Sequence, residues 1–297
     1  MTIEESTKTG IGTDVEKVTV VSEADVIPTS KIWEGRPLSH EYAEQLPSRG
    51  LFYKDQEGRP LLSEDGRIVL RPLTTREENI LFTQGSDSLE KVVRIIDNCI
   101  VTEGVNCKNL LVCDQYFILL SLRIHSFGGG YDVPMTCKYC GASSDVHIDL
   151  AADLSMKYLA RDVEQPFWFT LPISQRRIGF RLLRFEDQFT IRRYARAMSM
   201  ARKKARGTAV GSQDDDTKPS YRAAAAITHI DDKEVDFNTA LQFYDTMLMA
   251  DSIALSNAMD AVEPGIENEI SKNCPKCGAE TTFVLPMTVE FFRPSSL

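Results

Sequence analysis

What this sequence lacks narrows it before any motif is considered. No apolar stretch reaches transmembrane length, the longest being broken by Ser121 and Arg123. The N-terminus does not show the basic-then-apolar order of a signal peptide. Histidine is scarce: there are four in 297 residues and none has glutamate two positions on. Neither Cys137 nor Cys274 follows a proline, so both halves of the zinc deaminase signature are missing. No G-x-S-x-G elbow and no dinucleotide fingerprint occurs. Gly128-Gly129-Gly130 is followed by no Lys-Ser/Thr and opens no helix, so it does not read as a phosphate cradle. His40 reads as a solvated helix start, His125 as a satisfied core residue and His229 as a turn neighbour. His147 is a weaker candidate metal ligand on a strand. Internal repeats, apart from the two cysteine turns described below, and low-complexity tracts are also absent. These absences point away from an enzyme and from a membrane-spanning protein.

A cationic excess is missing too. Lys+Arg 34 against Asp+Glu 43 leaves a net charge of −9, which argues against general binding to nucleic acid or to anionic membranes. The charge is unevenly spread. Residues 176–206 carry eleven Arg/Lys against Glu186 and Asp187, a net +9, so the remainder of the chain carries −18. A basic helix is expected from Phe185 to about Arg206, with Arg192, Arg193 and Arg196 on one face. That face suits either nucleic acid or an acidic neighbouring subunit. No aromatic residues are interleaved for base stacking, and Phe189 and Tyr194 read as core residues, which favours the protein neighbour.

What the chain does have is a matched pair of cysteine turns. Cys137-Lys138-Tyr139-Cys140-Gly141 and Cys274-Pro275-Lys276-Cys277-Gly278 are both C-x-x-C followed by glycine, with 133 residues between Cys140 and Cys274. The two-residue gap lets both thiolates of a turn face one ion, and the glycine supplies a positive φ without a Cβ clash. Four such sulfurs form the donor set of a closed structural zinc site. Strand-like flanks at 131–135, 145–150 and 281–285 would make it a zinc ribbon split across the chain. Two disulfides, or reduced cysteines in ordinary turns, are the alternatives. The odd total of seven cysteines fits a reducing compartment, with Cys99, Cys107 and Cys113 as core thiols.

The expected fold class is α+β: helical parts with short β-hairpins and a discontinuous zinc ribbon. Residues 1–32 contain no aromatic residue and are expected to be an extended arm that needs a partner to dock. Residues 33–150 form an α+β half with the first cysteine turn. Within it, Thr75 and Glu78 have capping-box spacing, placing a helix start near Arg76. Leu89, Val92, Val93, Ile96 and Ile100 form a helical stripe, and Asp114 is expected to cap a central helix to Ser126. Residues 151–206 form a hairpin and the basic helix, and 207–219 a loop. Residues 220–297 bring a short hairpin at 230–233, helix from Phe237 to Val262 and the second cysteine turn.

Several stretches together carry a family resemblance. They are Leu46-Pro47-Ser48-Arg49-Gly50, the run Leu70-Arg71-Pro72-Leu73-Thr74-Thr75-Arg76-Glu77-Glu78, Leu122-Arg123-Ile124, Tyr131, both cysteine turns and Phe291-Phe292. With them the chain resembles the baseplate hub protein family of T-even-type contractile-tailed phages, over roughly residues 40–150 and 225–294. The resemblance implies a non-catalytic structural or assembly protein of the virion tail baseplate, built in the host cytoplasm. Its partners would be other tail and baseplate proteins, with no small-molecule substrate. Arg192, Arg193, Arg196, Phe291 and Phe292 are the candidate partner-binding residues, and Cys137, Cys140, Cys274 and Cys277 the candidate zinc ligands. The other reading is a zinc-ribbon nucleic-acid-binding or regulatory protein that uses helix 185–206.

Overall fold

A computed structural model describes residues 26–28, 40–83, 87–206, 219–285 and 290–292. Most of the expected N-terminal arm, and residues 207–218 of the expected loop, lie outside these. Up to the first cysteine turn the elements are β1 (Val26–Pro28), β2 (Tyr42–Gln45), β3 (Arg67–Leu70), α1 (Thr75–Phe82), α2 (Ser88–Cys99), α3 (Val112–Phe127) and β4 (Gly130–Thr136). Next come β5 (Ser143–Asp149), β6 (Ser155–Lys157), β7 (Phe167–Thr170), β8 (Arg177–Phe180), α4 (Phe185–Arg206), α5 (Pro219–Ala226), β9 (Ile227–Ile230) and β10 (Lys233–Glu234). The chain continues through α6 (Phe237–Asp245), α7 (Met249–Val262), β11 (Gly265–Glu267), β12 (Glu269–Asn273) and β13 (Glu280–Val284). It is a mixture of helix and short antiparallel hairpins, the fold class expected. No described helix is long and apolar enough to cross a membrane.

Contacts divide the chain into two compact units, and neither is a consecutive block. The larger holds the described parts of 21–163, 182–217 and 262–297; the smaller holds those of 164–181 and 218–261.

In the larger unit α3 is the centre. It is apolar on nearly every side, and Phe117, Ile118, Leu120 and Leu122 are fully buried, each worth about 1.5–3 kcal/mol of transfer free energy. The helix starts at Val112, earlier than expected, and Asp114 is not its cap. Asp114 lies inside the protein, accepting from the Ser48 amide (3.0 Å), the Ser48 hydroxyl (2.5 Å) and the Tyr53 hydroxyl (2.5 Å). A buried carboxylate needs such donors, so Asp114 ties the Leu46–Tyr53 segment to the core helix. On α2 the buried positions are Val93, Ile95, Ile96 and Cys99, a face rotated from the expected stripe toward Ile95 and Cys99. Cys99, Cys107 and Cys113 are all buried thiols, and burial pushes the Cys99 thiol up to about 12.

The capping box is real but shifted by one residue: Thr74 caps α1 and Glu77 closes the box. Glu77 is buried and does more than cap. Arg71 donates to both its oxygens (3.0 and 3.1 Å), the Thr74 hydroxyl donates at 2.7 Å and Asn98 adds a fourth donor at 3.2 Å. Burial alone would raise the Glu77 carboxyl, but the Arg71 guanidinium and the Thr74 donors outweigh it and hold the group at about 2. The Arg71–Glu77 run is therefore one bonded cluster joining β3, α1 and α2.

In the smaller unit the antiparallel sheet runs β10-β9-β8-β7. Asp231 and Asp232 both take positive φ (49° and 63°) in the two-residue turn between β9 and β10, the geometry that matches strand twist. The helix expected from Phe237 to Val262 is two helices, with a break at 246–248. Asp251, buried near the start of α7, accepts from the amides of Ile173 (2.8 Å) and Ser174 (3.0 Å). The break thus lets a carboxylate in the first turn of α7 hold the loop between β7 and β8.

Glu77→Gln is expected to cost roughly 2 kcal/mol at pH 7, the shift being reduced by screening at the partly exposed Arg71. Because the folded-state value is depressed, that contribution fades as pH falls from about 4.5 toward about 2. Urea denaturation of both proteins across that range should show the gap closing.

Candidate metal centre

Each cysteine turn sits at the tip of a hairpin. The first joins β4 to β5, paired from Gly130↔Asp149 to Thr136↔Ser143. The second joins β12 to β13, paired from Glu269↔Val284 to Asn273↔Glu280. The two turns have the same internal bonding. Cys137 N donates to Ala142 O and Gly141 N to Cys137 O; Cys274 N donates to Ala279 O and Gly278 N to Cys274 O, all at 2.8–3.0 Å. Gly141 and Gly278 take φ of 66° and 73°, which is why glycine follows each second cysteine.

The tips meet. All four sulfurs lie within 4.8 Å of one another, with Cys137 Sγ 3.7 Å from Cys277 Sγ and Cys140 Sγ 3.8 Å from Cys274 Sγ. A tetrahedral ion with ~2.3 Å bonds to sulfur spaces its ligands about 3.8 Å apart, so the donor set fits such an ion. Met135, Cys137 and Cys274 form a small apolar cluster with Val146 and Phe283, leaving Cys140 and Cys277 on the exposed side.

Electrostatics favour a cation here. Amides of Cys140 and Tyr139 and the Thr281 hydroxyl (3.6 Å) draw the Cys137 thiol down to about 6. Amides of Cys277 and Lys276 lower Cys274. Cys277 goes the other way: the Ala279 amide pulls it down, but the sulfurs of Cys140, Cys137 and Cys274 outweigh it and push the thiol up to about 12. Four crowded thiols therefore resist ionising together, and a bound cation removes that resistance.

The hairpins are also tied through the body of the larger unit. β6 pairs β11 on one side and β1 on the other, so part of the expected arm docks on its own chain. Lys272 bonds Asp153 at 2.7 Å. Arg123, fully buried in α3, donates to the carbonyls of Gly128 (2.7 Å) and Gly130 (3.0 Å) and lies over the rings of Phe127 and Tyr131. It fixes the glycine turn that launches β4. Arg123 and Thr281 were not singled out as site residues from the sequence; a lone arginine in an apolar helix was the one available signal.

A family model described as T4 bacteriophage base plate protein matches residues 56–293. The chain belongs to that base plate protein family. Comparisons with curated proteins and with solved structures give no match.

The remaining expected site residues of this base plate protein lie elsewhere. Phe291 and Phe292 are buried, with Phe291 edge-on to Tyr131 (5.3 Å) and to Phe292 (5.1 Å); they fill the chain's own interior rather than a partner surface. Arg192 and Arg196 both bond Asp87, the cap of α2, the latter at 3.0 Å. Arg193 is exposed. His147 pairs across the hairpin with Asp132 at 2.8 Å and is not in the sulfur cluster.

Arg123→Met keeps the stem but removes two charge-assisted bonds, and is expected to cost about 2 kcal/mol or more. Urea denaturation should register the loss, and hydrogen exchange should show faster opening of β4 than of α2.

Proposed function

We propose that this chain is a non-catalytic hub or hub-associated protein of the phage baseplate, held in shape by one structural zinc ion. Cys137, Cys140, Cys274 and Cys277 are the ligands, and the protein acts through contacts with other tail proteins. The observation that carries the proposal is the four-sulfur cluster in a chain of the base plate family. A bound ion would supply charge neutralisation and a rigid cross-link, and with four thiolates it leaves no open position for a reacting water. The chain's own residues orient the sulfurs through amide donors and shield them on the Met135–Phe283 side. On this reading the protein is assembled in the host cytoplasm and sits in the tail baseplate. The exposed cationic positions on α4, Arg193 first among them, are the contact side for an acidic neighbour.

The nucleic-acid reading rests on that same helix, and two of its three arginines are engaged by Asp87. A salt-titrated binding assay with duplex DNA and with RNA separates the two readings. Affinity that drops for Arg193→Glu with a shallower salt slope would overturn the structural reading.

Elemental analysis of the purified protein is expected to find one zinc per chain. Cys274→Ser should lose the metal and lower thermal stability severely, since structural zinc contributes on the order of 10 kcal/mol of apparent binding energy. Incorporation of Cys274→Ser into baseplates should fail. Metal-free, folded wild-type protein that still assembles would sink the proposal.

A further inference from the structure

The sheet of the smaller unit has two edges of different character. At one, β10 is two residues long, and both Lys233 and Glu234 are exposed. Short, charged edges discourage further strand addition. At the other, β7 reads Phe167-Trp168-Phe169-Thr170, with no charge and no proline. It pairs only with β8, in register from Phe167↔Phe180 to Thr170↔Arg177. Among the described residues, no other backbone group bonds its outer edge. An antiparallel edge strand leaves the outward half of its donors and acceptors unpaired. None of the usual guards against pairing is built into β7 itself.

A segment suited to that edge exists in the same chain. Val18-Thr19-Val20-Val21 is the longest uninterrupted run of β-branched residues in the sequence, and such residues favour a pleated, half-buried strand. The described structure begins at Val26, so 25 residues precede it. That is ample chain for a strand of four to six residues and a connection.

We propose that residues 17–22 add to the outer edge of β7 as a fifth strand, by β-augmentation. Main-chain bonds supply the affinity. Selectivity comes from cross-strand pairing of valines with Phe167 and Phe169 on one face and with Trp168 on the other. The inference is independent of the metal reading, because none of the four cysteines lies in this sheet.

Hydrogen exchange of β7 tests it in the full chain and in a chain lacking residues 1–22, which retains β1. The outward amides of β7 should exchange at least tenfold faster after the truncation. A synthetic peptide of residues 15–24, added to the truncated chain, should restore the protection. Val20→Pro in the full chain, which removes a ladder donor without deleting the arm, should match the truncation. Exchange in β8 and β9 should stay unchanged throughout, showing that the sheet remains folded. Equal β7 exchange in full and truncated chains overturns the proposal. So does protection that survives truncation and rises with protein concentration, which would mean that the edge pairs with a second copy instead.

Discussion

Four sulfurs crowded within 4.8 Å constrain this protein more than any other contact. They come from hairpins separated by 133 residues, and closing a loop of that length costs about 4 kcal/mol of chain entropy. The thiols cannot offset that cost themselves, because mutual repulsion keeps Cys277 protonated while Cys137 and Cys274 are poised to ionise. Other contacts share it: the β1-β6-β11 sheet, the Lys272–Asp153 pair and the apolar cluster behind Cys137 and Cys274. The proposed zinc would turn that crowding from a cost into a bond.

Rigidity at the sulfur cluster depends on the core beneath it. α3 is buried almost throughout, yet it carries Asp114, Arg123 and His125 into the interior. Each has a specific errand. Asp114 holds Ser48 and Tyr53, His125 meets Glu44 on β2 at 3.0 Å, and Arg123 grips the turn entering β4. Buried polar groups of this kind cost stability unless every bond is made. Where the bonds are made, they allow one arrangement of the hairpins and penalise the others. A protein that serves as a component of a larger assembly benefits from that single arrangement.

Some features were legible in the chain because they rest on local physics. The basic helix over 185–206, the hairpins flanking both turns and the glycines at positive φ follow from periodicity and backbone sterics within a few residues. The box at the start of α1 shows where local reasoning stops. In Thr74-Thr75-Arg76-Glu77-Glu78 both registers satisfy the same three-residue spacing. The choice falls to Glu77 because Arg71 and Asn98, brought in by β3 and α2, can bond only the carboxylate that faces inward. The break between α6 and α7 was hidden for a related reason: the apolar spacing runs straight through it, and what uses it is Asp251 binding amides more than seventy residues earlier in the chain.

By itself the sequence determined the ligand set, the α+β character and the charge split, since residue type, spacing and composition encode these directly. Tertiary structure alone decided which polar residues turn inward. Arg192 and Arg196 close on Asp87 instead of facing outward, and Phe291 and Phe292 bury against Tyr131. Whether an arginine or a phenylalanine is surface or core depends on what the rest of the chain packs beside it, and that partner lies tens to more than a hundred residues away.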